Sequence, residues 1–151
     1  MQPETAEGGN RKARCVIMQA MTDNQQRTLY ELLDGASGLR ALVDRFYDLM
    51  DLEPAFAGIR AMHPTVLDGS RDKLFWFLSG WTGGPNLFVE RFGHPRLRAR
   101  HLPYAIATNE RDQWLRCMEM AMQDVGIVSS LQEHLQKAFA ETADWMRNTH
   151  G

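Results

Sequence analysis

The stretch Leu39-Arg40-Ala41-Leu42-Val43-Asp44-Arg45-Phe46-Tyr47-Asp48-Leu49-Met50 decides the fold class. Leu39, Leu42, Val43, Phe46 and Met50 recur at spacings of three and four, which gathers them on one face of a helix. Tyr47 lies beside that face. Ser37 can cap the helix by accepting a hydrogen bond from its first turn, and Asp34-Gly35 breaks a shorter helix before it.

The same periodicity runs from Leu29 onward, and no stretch alternates over the length of a strand, so an all-α domain is predicted. Asp68 can cap a helix in which Leu74, Phe77, Leu78 and Trp81 form a stripe that Phe75 and Trp76 widen, the pattern of a helix buried on more than one side. Gly83-Gly84-Pro85 then stops it, because glycine supplies a helix exit and proline cannot continue the hydrogen-bond ladder. Thr108, followed by Glu110 and Asp112 where the helix dipole favours anions, opens a helix with Trp114, Met118, Ala121 and Val125 on one face and Gly126 at its end. Ser130 and Glu133 have capping-box spacing for the last helix, whose stripe is Leu131, Leu135, Ala138, Phe139, Thr142 and Met146. The expectation is two long helix pairs joined by irregular connections, without internal repeats or low-complexity tracts.

With 151 residues, 44% of them hydrophobic, the chain fits one domain around a single core. Its 17 basic against 19 acidic side chains leave a formal charge of −2, which argues against nucleic acid or an anionic membrane as the main partner. Cys15 and Cys117 are far apart and form no C-x-x-C pair, so neither a structural zinc site nor a disulfide framework is expected. The apolar run Cys15 to Met18 is too short for a signal-peptide core or a membrane span, and a soluble, cytoplasmic protein is the expectation. Residues 1–24, with Pro3, Gly8-Gly9 and scattered charge, read as a flexible extension ahead of a domain spanning 25–151.

The chemistry concentrates in Gly93-His94-Pro95-Arg96-Leu97-Arg98-Ala99-Arg100-His101-Leu102-Pro103. Pro95 suits a first helical position and Pro103 biases Leu102 out of helical geometry, so the helix between them has about two turns, with Leu97 and His101 on one face. A short tethered helix ending in histidine suits an axial ligand to haem iron, since the imidazole must point at a fixed spot. Arg98 and Arg100 are cations of the kind that haem propionates need. A lone histidine in a basic turn is equally what a solvated surface residue looks like, and this segment alone leaves both readings open.

Further segments make the pattern specific: Arg45-Phe46-Tyr47; Phe77-Leu78 and Trp81 ahead of Gly83-Gly84-Pro85; Gly93-His94-Pro95 with Arg100-His101; and Glu110-Arg111-Asp112 with Trp114-Leu115-Arg116-Cys117-Met118. In order and spacing, over about residues 25–148, the chain resembles the group II truncated haemoglobins. That resemblance implies a two-over-two helical sandwich around haem b, with His101 as proximal iron ligand. It implies Tyr47 and Trp114 as distal residues that reach bound ligand, and places His63 where members carry tyrosine, histidine or phenylalanine. Ser70 falls where vertebrate globins have a distal histidine. Leu74 and Phe77 match apolar residues on the distal side, Phe46 one that packs on the macrocycle, and Lys73, Arg98 and Arg100 basic residues that can meet propionates. A one-residue slip between His63 and Ser70 is open to the alignment.

Oxygen on ferrous haem carries partial superoxide character, so donors aimed at it stabilise the ligated state. The indole N–H of Trp114, the phenol of Tyr47 and an imidazole N–H of His63 are the candidate donors, able also to polarise a peroxide O–O bond. Read singly, Trp114 is equally a core residue, Tyr47 a half-buried helix residue and His63 a loop residue. His94, His134 and His150 read as structural or surface residues, and Cys117 as a small buried hydrophobe. The implied function is binding of O2, NO, CO or similar ligands for redox chemistry or detoxification of reactive oxygen and nitrogen species, with peroxidase-like or nitric oxide-consuming activity and an unidentified reductase as partner. A homodimer stays open. The alternatives are a haem-based sensor acting through a partner protein and a cofactor-free helical interaction module.

Overall fold

The computed structural model describes residues 27–149; the extension expected over residues 1–24 lies outside the described residues, as does His150. The helices run in order α1 (Leu29–Leu32), α2 (Gly35–Leu52), a 3-10 turn (Pro54–Phe56), α3 (Ala57–Arg60), α4 (Asp68–Trp81), α5 (Leu87–Phe92), α6 (Leu97–His101), α7 (Thr108–Asp124) and α8 (Ser129–Met146). No strand occurs among the described residues. Helix α2 packs on both α4 and α7, and α7 packs on α8, which gives the expected two pairs of long helices.

The core follows the apolar stripes. Leu39, Leu42, Val43, Phe46, Leu49 and Met50 from α2 meet Cys117, Met118, Ala121 and Met122 from α7 and Leu135 and Phe139 from α8. Each large side chain fully removed from water contributes about 1.5–3 kcal/mol, so this seam dominates the stability of the pairing. Val125, expected on the same face of α7, is exposed, because the helix ends at Asp124 and Val125 sits at the open C-cap.

Several caps differ from expectation. Helix α2 begins at Gly35, so Ser37 falls inside its first turn; Asp34 (φ 70°) and Gly35 (φ 66°) are both left-handed and turn the chain without a side-chain cap. Asp68 lies in the first turn of α4, capped only by the backbone of Leu67. The Ser130/Glu133 box does not form, since α8 starts two residues earlier than that cap implies, at Ser129 from an extended Val128. At α7 half of the reciprocal arrangement survives: Glu110 Oε2 accepts the Ala107 N–H at 3.0 Å, while Ala107 has no group to return the bond.

The short connections fix the frame. Gly84 is required where it stands, because a Cβ there would lie 2.5 Å from the Tyr30 ring, and the Tyr30 N–H bonds the Thr82 carbonyl at 2.8 Å. Arg71 ties α4 to α2 through Asp48 (2.6 Å) and the Asp44 carbonyl (2.9 Å). Within α4 only Leu78 and Ser79 are fully buried, although more complete burial was expected. Trp76 and Phe75 are instead covered by the guanidinium groups of Arg91 (4.4 Å) and Arg40 (5.6 Å), while Leu74, Phe77 and Trp81 border a cavity.

Candidate ligand pocket

The cavity has a volume of about 530 Å³ and is enclosed by α4, α6, α7 and α8 together with Tyr47 of α2 and the corner after α3. Most of its wall is apolar: Ile59, Leu74, Phe77, Leu78, Trp81, Phe88, Leu97, Ile106, Phe139 and Met146. Tyr47, His63, His101 and Trp114 bring polar atoms to it, and Lys73, Arg100 and Arg111 bring cations. That volume and lining are ordinary for a site that encloses a cofactor.

His101 is the last residue of α6. The helix is shorter than expected and starts at Leu97, because Arg96 is left-handed (φ 47°) and its N–H bonds His94 Nδ1 at 3.1 Å. His101 Nδ1 lies 2.6 Å from the Leu97 carbonyl, one helical turn back. A carbonyl only accepts, so Nδ1 carries the proton and the neutral ring keeps its lone pair on Nε2, the arrangement a metal-ligating imidazole needs. Asn148 staples the following segment: its Nδ2 donates to the carbonyls of His101 (3.2 Å) and Tyr104 (2.9 Å), and its Oδ1 accepts the Ile106 N–H (3.0 Å).

His63 repeats the device. Its Nδ1 is 2.8 Å from the Ile59 carbonyl, again four residues back. Burial is the main cause that holds its pKa below the ordinary imidazole value; the bond to Ile59 opposes the shift, and Arg60 and His101 add to it. A neutral ring with Nδ1–H bonded to a carbonyl has only a lone pair on Nε2. The expectation that His63 offers an N–H to a ligand is therefore corrected: in this tautomer it accepts.

Tyr47 is buried, with its ring edge-on to Phe46 (centroids 5.1 Å) and to His63 (5.7 Å). Burial pushes its hydroxyl far above the ordinary phenol value, against the pull of Arg71, so it remains an O–H donor. Trp114 packs on Phe46 (5.2 Å) and Phe139 (5.4 Å) and borders the cavity. Phe46 itself is fully buried behind Tyr47 and Trp114 and is not part of the wall. Leu74, Phe77, Lys73, Arg100 and Ser70 all border the cavity. Arg98 does not; it lies on a neighbouring groove with its guanidinium 5.3 Å from the Trp145 ring.

Sequence reading passed over several wall residues. Trp81 and Phe139 stack at 4.9 Å and had the spacing of ordinary core stripes. Arg111, held by Asp144 at 2.6 Å, and Gln113, which is not on the wall but whose Oε1 accepts the Ile59 N–H at 3.1 Å, are linked to partners 33 and 54 residues away and leave no local pattern. Cys117 is fully buried and its thiol, bonded to the Phe46 carbonyl, is pushed up to about 12 by burial, so it is inert as expected.

Comparison with known proteins agrees with this geometry. The sequence model of the bacterial-like globin family matches residues 28–148. The group 2 truncated hemoglobin YjbI of Bacillus subtilis is 39% identical over 119 residues, covering 79% of this chain and 87% of that protein. Among solved structures, the cold-adapted truncated hemoglobin of the Antarctic marine bacterium Pseudoalteromonas haloplanktis TAC125 is similar with a TM-score of 0.80 and 43% identity, over 82% of this chain and 100% of that one. A group II 2-on-2 hemoglobin from Agrobacterium tumefaciens gives a TM-score of 0.79 and 41% identity, over 83% and 97% of the two chains.

Proposed function

This chain belongs to the bacterial-like globin family, in its group II truncated branch, and we propose that its cavity would hold haem b with His101 Nε2 as the protein's ligand to the iron. The donor set fits such a group. Two imidazoles, a phenol and an indole bring no anionic ligand for a bare metal ion, but the imidazoles suit an iron that arrives already held by four porphyrin nitrogens. The apolar wall suits the macrocycle. Arg100 and Lys73 are the cations on the cavity for the propionates, Arg98 lies one groove away, and Phe46 supports Tyr47 and Trp114 from behind.

When bound, haem supplies an iron that takes up O2, NO or CO and cycles between ferrous and ferric states. Tyr47 and Trp114 each hold a donor at the cavity, and the low local dielectric strengthens their bonds to a ligand that accumulates negative charge. His63 contributes an acceptor, able to receive a proton or a hydrogen bond from a ligand that carries one. Two donors beside one acceptor serve redox turnover of peroxide or nitrogen oxides better than simple storage, and this is the role we assign. The single observation that carries the reading is the 2.6 Å bond from His101 Nδ1 to Leu97, which leaves Nε2 free as a ligand.

The test is the absorption spectrum of the chain expressed with haem precursor. A Soret band is expected, and His101→Ala should lose it while keeping the far-ultraviolet circular dichroism of the parent. A folded, colourless parent protein would defeat the haem assignment. Peroxide and nitric oxide turnover unchanged in Trp114→Phe and in Tyr47→Phe would defeat the redox role alone.

A further inference from the structure

Of the twelve arginines among the described residues, six are ion-paired and six are not; Arg27 and Arg116 are unpaired and isolated, and the other four unpaired ones cluster. Arg40, Arg45, Arg60, Arg71, Arg111 and Arg147 each make an ion pair with an aspartate at 2.6–2.9 Å. Arg91, Arg96, Arg98 and Arg100 make none among the described residues, although all four lie within ten residues of sequence. Three of them lie on aromatic rings instead: Arg91 on Trp76 (4.4 Å), Arg98 on Trp145 (5.3 Å) and Arg100 on Phe88 (5.2 Å). Arg96 is displayed from a left-handed backbone, φ 47°. The carboxylates in the same region are Glu90, on the stretch itself, and Glu141, on the far wall of the groove.

The surface they make is apolar beneath the charge. Trp145 is 63% exposed, and Val89 and Phe92 are 45% exposed each. An open groove of about 590 Å³ includes Arg96, Arg98 and Trp145, and Phe92 connects to it through Phe88, which packs on Phe92 at 4.9 Å and on the groove residue Phe77 at 6.4 Å. This groove and the cavity share Phe77, Trp81, Leu97, Thr142 and Met146, so one layer of side chains separates a molecule in the groove from the cavity that His101 borders.

We propose that this arginine-aromatic face is the docking surface for an acidic one-electron donor protein that reduces the iron in the cavity. The proposal rests on the haem reading above and names the partner that reading requires. Guanidinium groups without acid partners receive carboxylates in bidentate geometry, and a rim of like charges raises the encounter rate of an oppositely charged partner without demanding a large interface. Exposed aromatic rings under the arginines supply the apolar centre of such a contact. A chain of net charge −2 with three clustered cations on this face, Arg91, Arg96 and Arg98, while Arg100 serves the cavity, lacks the extended basic stripe by which nucleic acid is held, and a compact acidic protein matches the patch better. In the step itself one electron leaves the donor, here a reduced flavin passing from anionic hydroquinone to neutral semiquinone, and ferric iron becomes ferrous. No proton moves.

The experiment uses the haem-loaded full chain and reduced flavodoxin, an acidic FMN protein, as probe. Calorimetric affinity and the rate of iron reduction, read from the Soret shift, are compared at about 20 and about 200 mM NaCl. Binding is expected to weaken about tenfold at the higher salt, and the double variant Arg91→Gln/Arg96→Asn to weaken binding and slow reduction about fivefold with its Soret band unchanged. The control Arg116→Gln/Lys137→Gln, which removes the same charge elsewhere, should bind as the parent does. Equal affinity in parent and double variant, equal loss in the control, or no binding by a protein with a normal Soret band would overturn the docking surface and leave the haem reading intact. Arginine-dependent binding of phosphatidylserine vesicles or of a short DNA duplex, with none of flavodoxin, would also overturn it. An absent Soret band would sink the haem reading and the electron-transfer role with it.

Discussion

Gln113 Oε1 accepts the backbone N–H of Ile59 at 3.1 Å, joining the helix that carries Trp114 to the corner that carries His63. The approach is close: a Cβ on Gly58 would lie 2.8 Å from the Gln113 amide, so a larger residue there would push that side chain off its bond to Ile59. Ile59 in turn supplies the carbonyl that fixes the His63 tautomer. Gln113→Ala leaves a half-buried N–H unbonded and is expected to destabilise the protein by about 1–3 kcal/mol. Urea unfolding measures this, and a midpoint equal to the parent's would show that the bond carries no stability.

Tyr47 and Trp114 touch the same fully buried ring, Phe46, at 5.1 and 5.2 Å, so their positions at the cavity are set by packing rather than by a flexible loop. A hydrogen bond to a partly charged acceptor contributes about 1.5–3 kcal/mol, which converts to roughly a tenfold or larger change in a dissociation rate. Trp114→Phe and Tyr47→Phe are each expected to speed O2 release by about tenfold or more, measured by stopped-flow exchange against CO. If neither rate changes, the two donors do not reach the ligand.

The long helices were legible because burial imposes its period on the sequence. Leu39, Leu42, Val43, Phe46 and Met50 could only be one face of one helix, and the structure buries all five. The ends of the helices were not legible in the same way. A cap is one hydrogen bond that a backbone turn can replace, as Asp34 and Gly35 do for Ser37, and a preference of that size is easily overridden by packing. In the pocket, residue types and the family resemblance pointed to Tyr47, His63, His101 and Trp114, all of which border one cavity. What sequence could not carry was direction. Whether His63 donates or accepts depends on a carbonyl four residues back, and whether Arg98 faces the cavity or the groove depends on where Trp145 stands.

The neutral, half-buried state of His63 makes stability depend on pH. Its folded pKa is lowered, chiefly by burial, so near the ordinary value of about 6.5 the unfolded chain binds the proton that the folded chain refuses. The contribution is complete above that pH and is lost progressively as pH falls toward the folded value. His63→Gln lacks the titrating ring. Between pH 7 and 5.5 the parent should therefore lose stability more steeply than His63→Gln, by up to about 1 kcal/mol. Parallel unfolding midpoints across this range would mean that the ring is solvated and free to charge.

The last expectation concerns whether His101 acts as a ligand or merely as a wall. It occupies the final position of a five-residue helix, where Asn148 holds its carbonyl and where loss of a side chain removes little core packing. His101→Gly should therefore fold, and it should open a hole at the cavity of about the size of an imidazole ring. If the ring's only essential service is to present Nε2, free imidazole entering that hole restores it without a covalent link. Titrating His101→Gly with imidazole in the presence of haem is expected to bring back the parent's Soret position and intensity in a saturable way. His63→Gly provides the comparison, because the second imidazole is tied to Ile59 by the same bond yet is assigned no obligatory iron contact. A Soret band that survives in His101→Gly without imidazole, and is lost in His63→Gly until imidazole is added, would reverse the assignment of the two histidines.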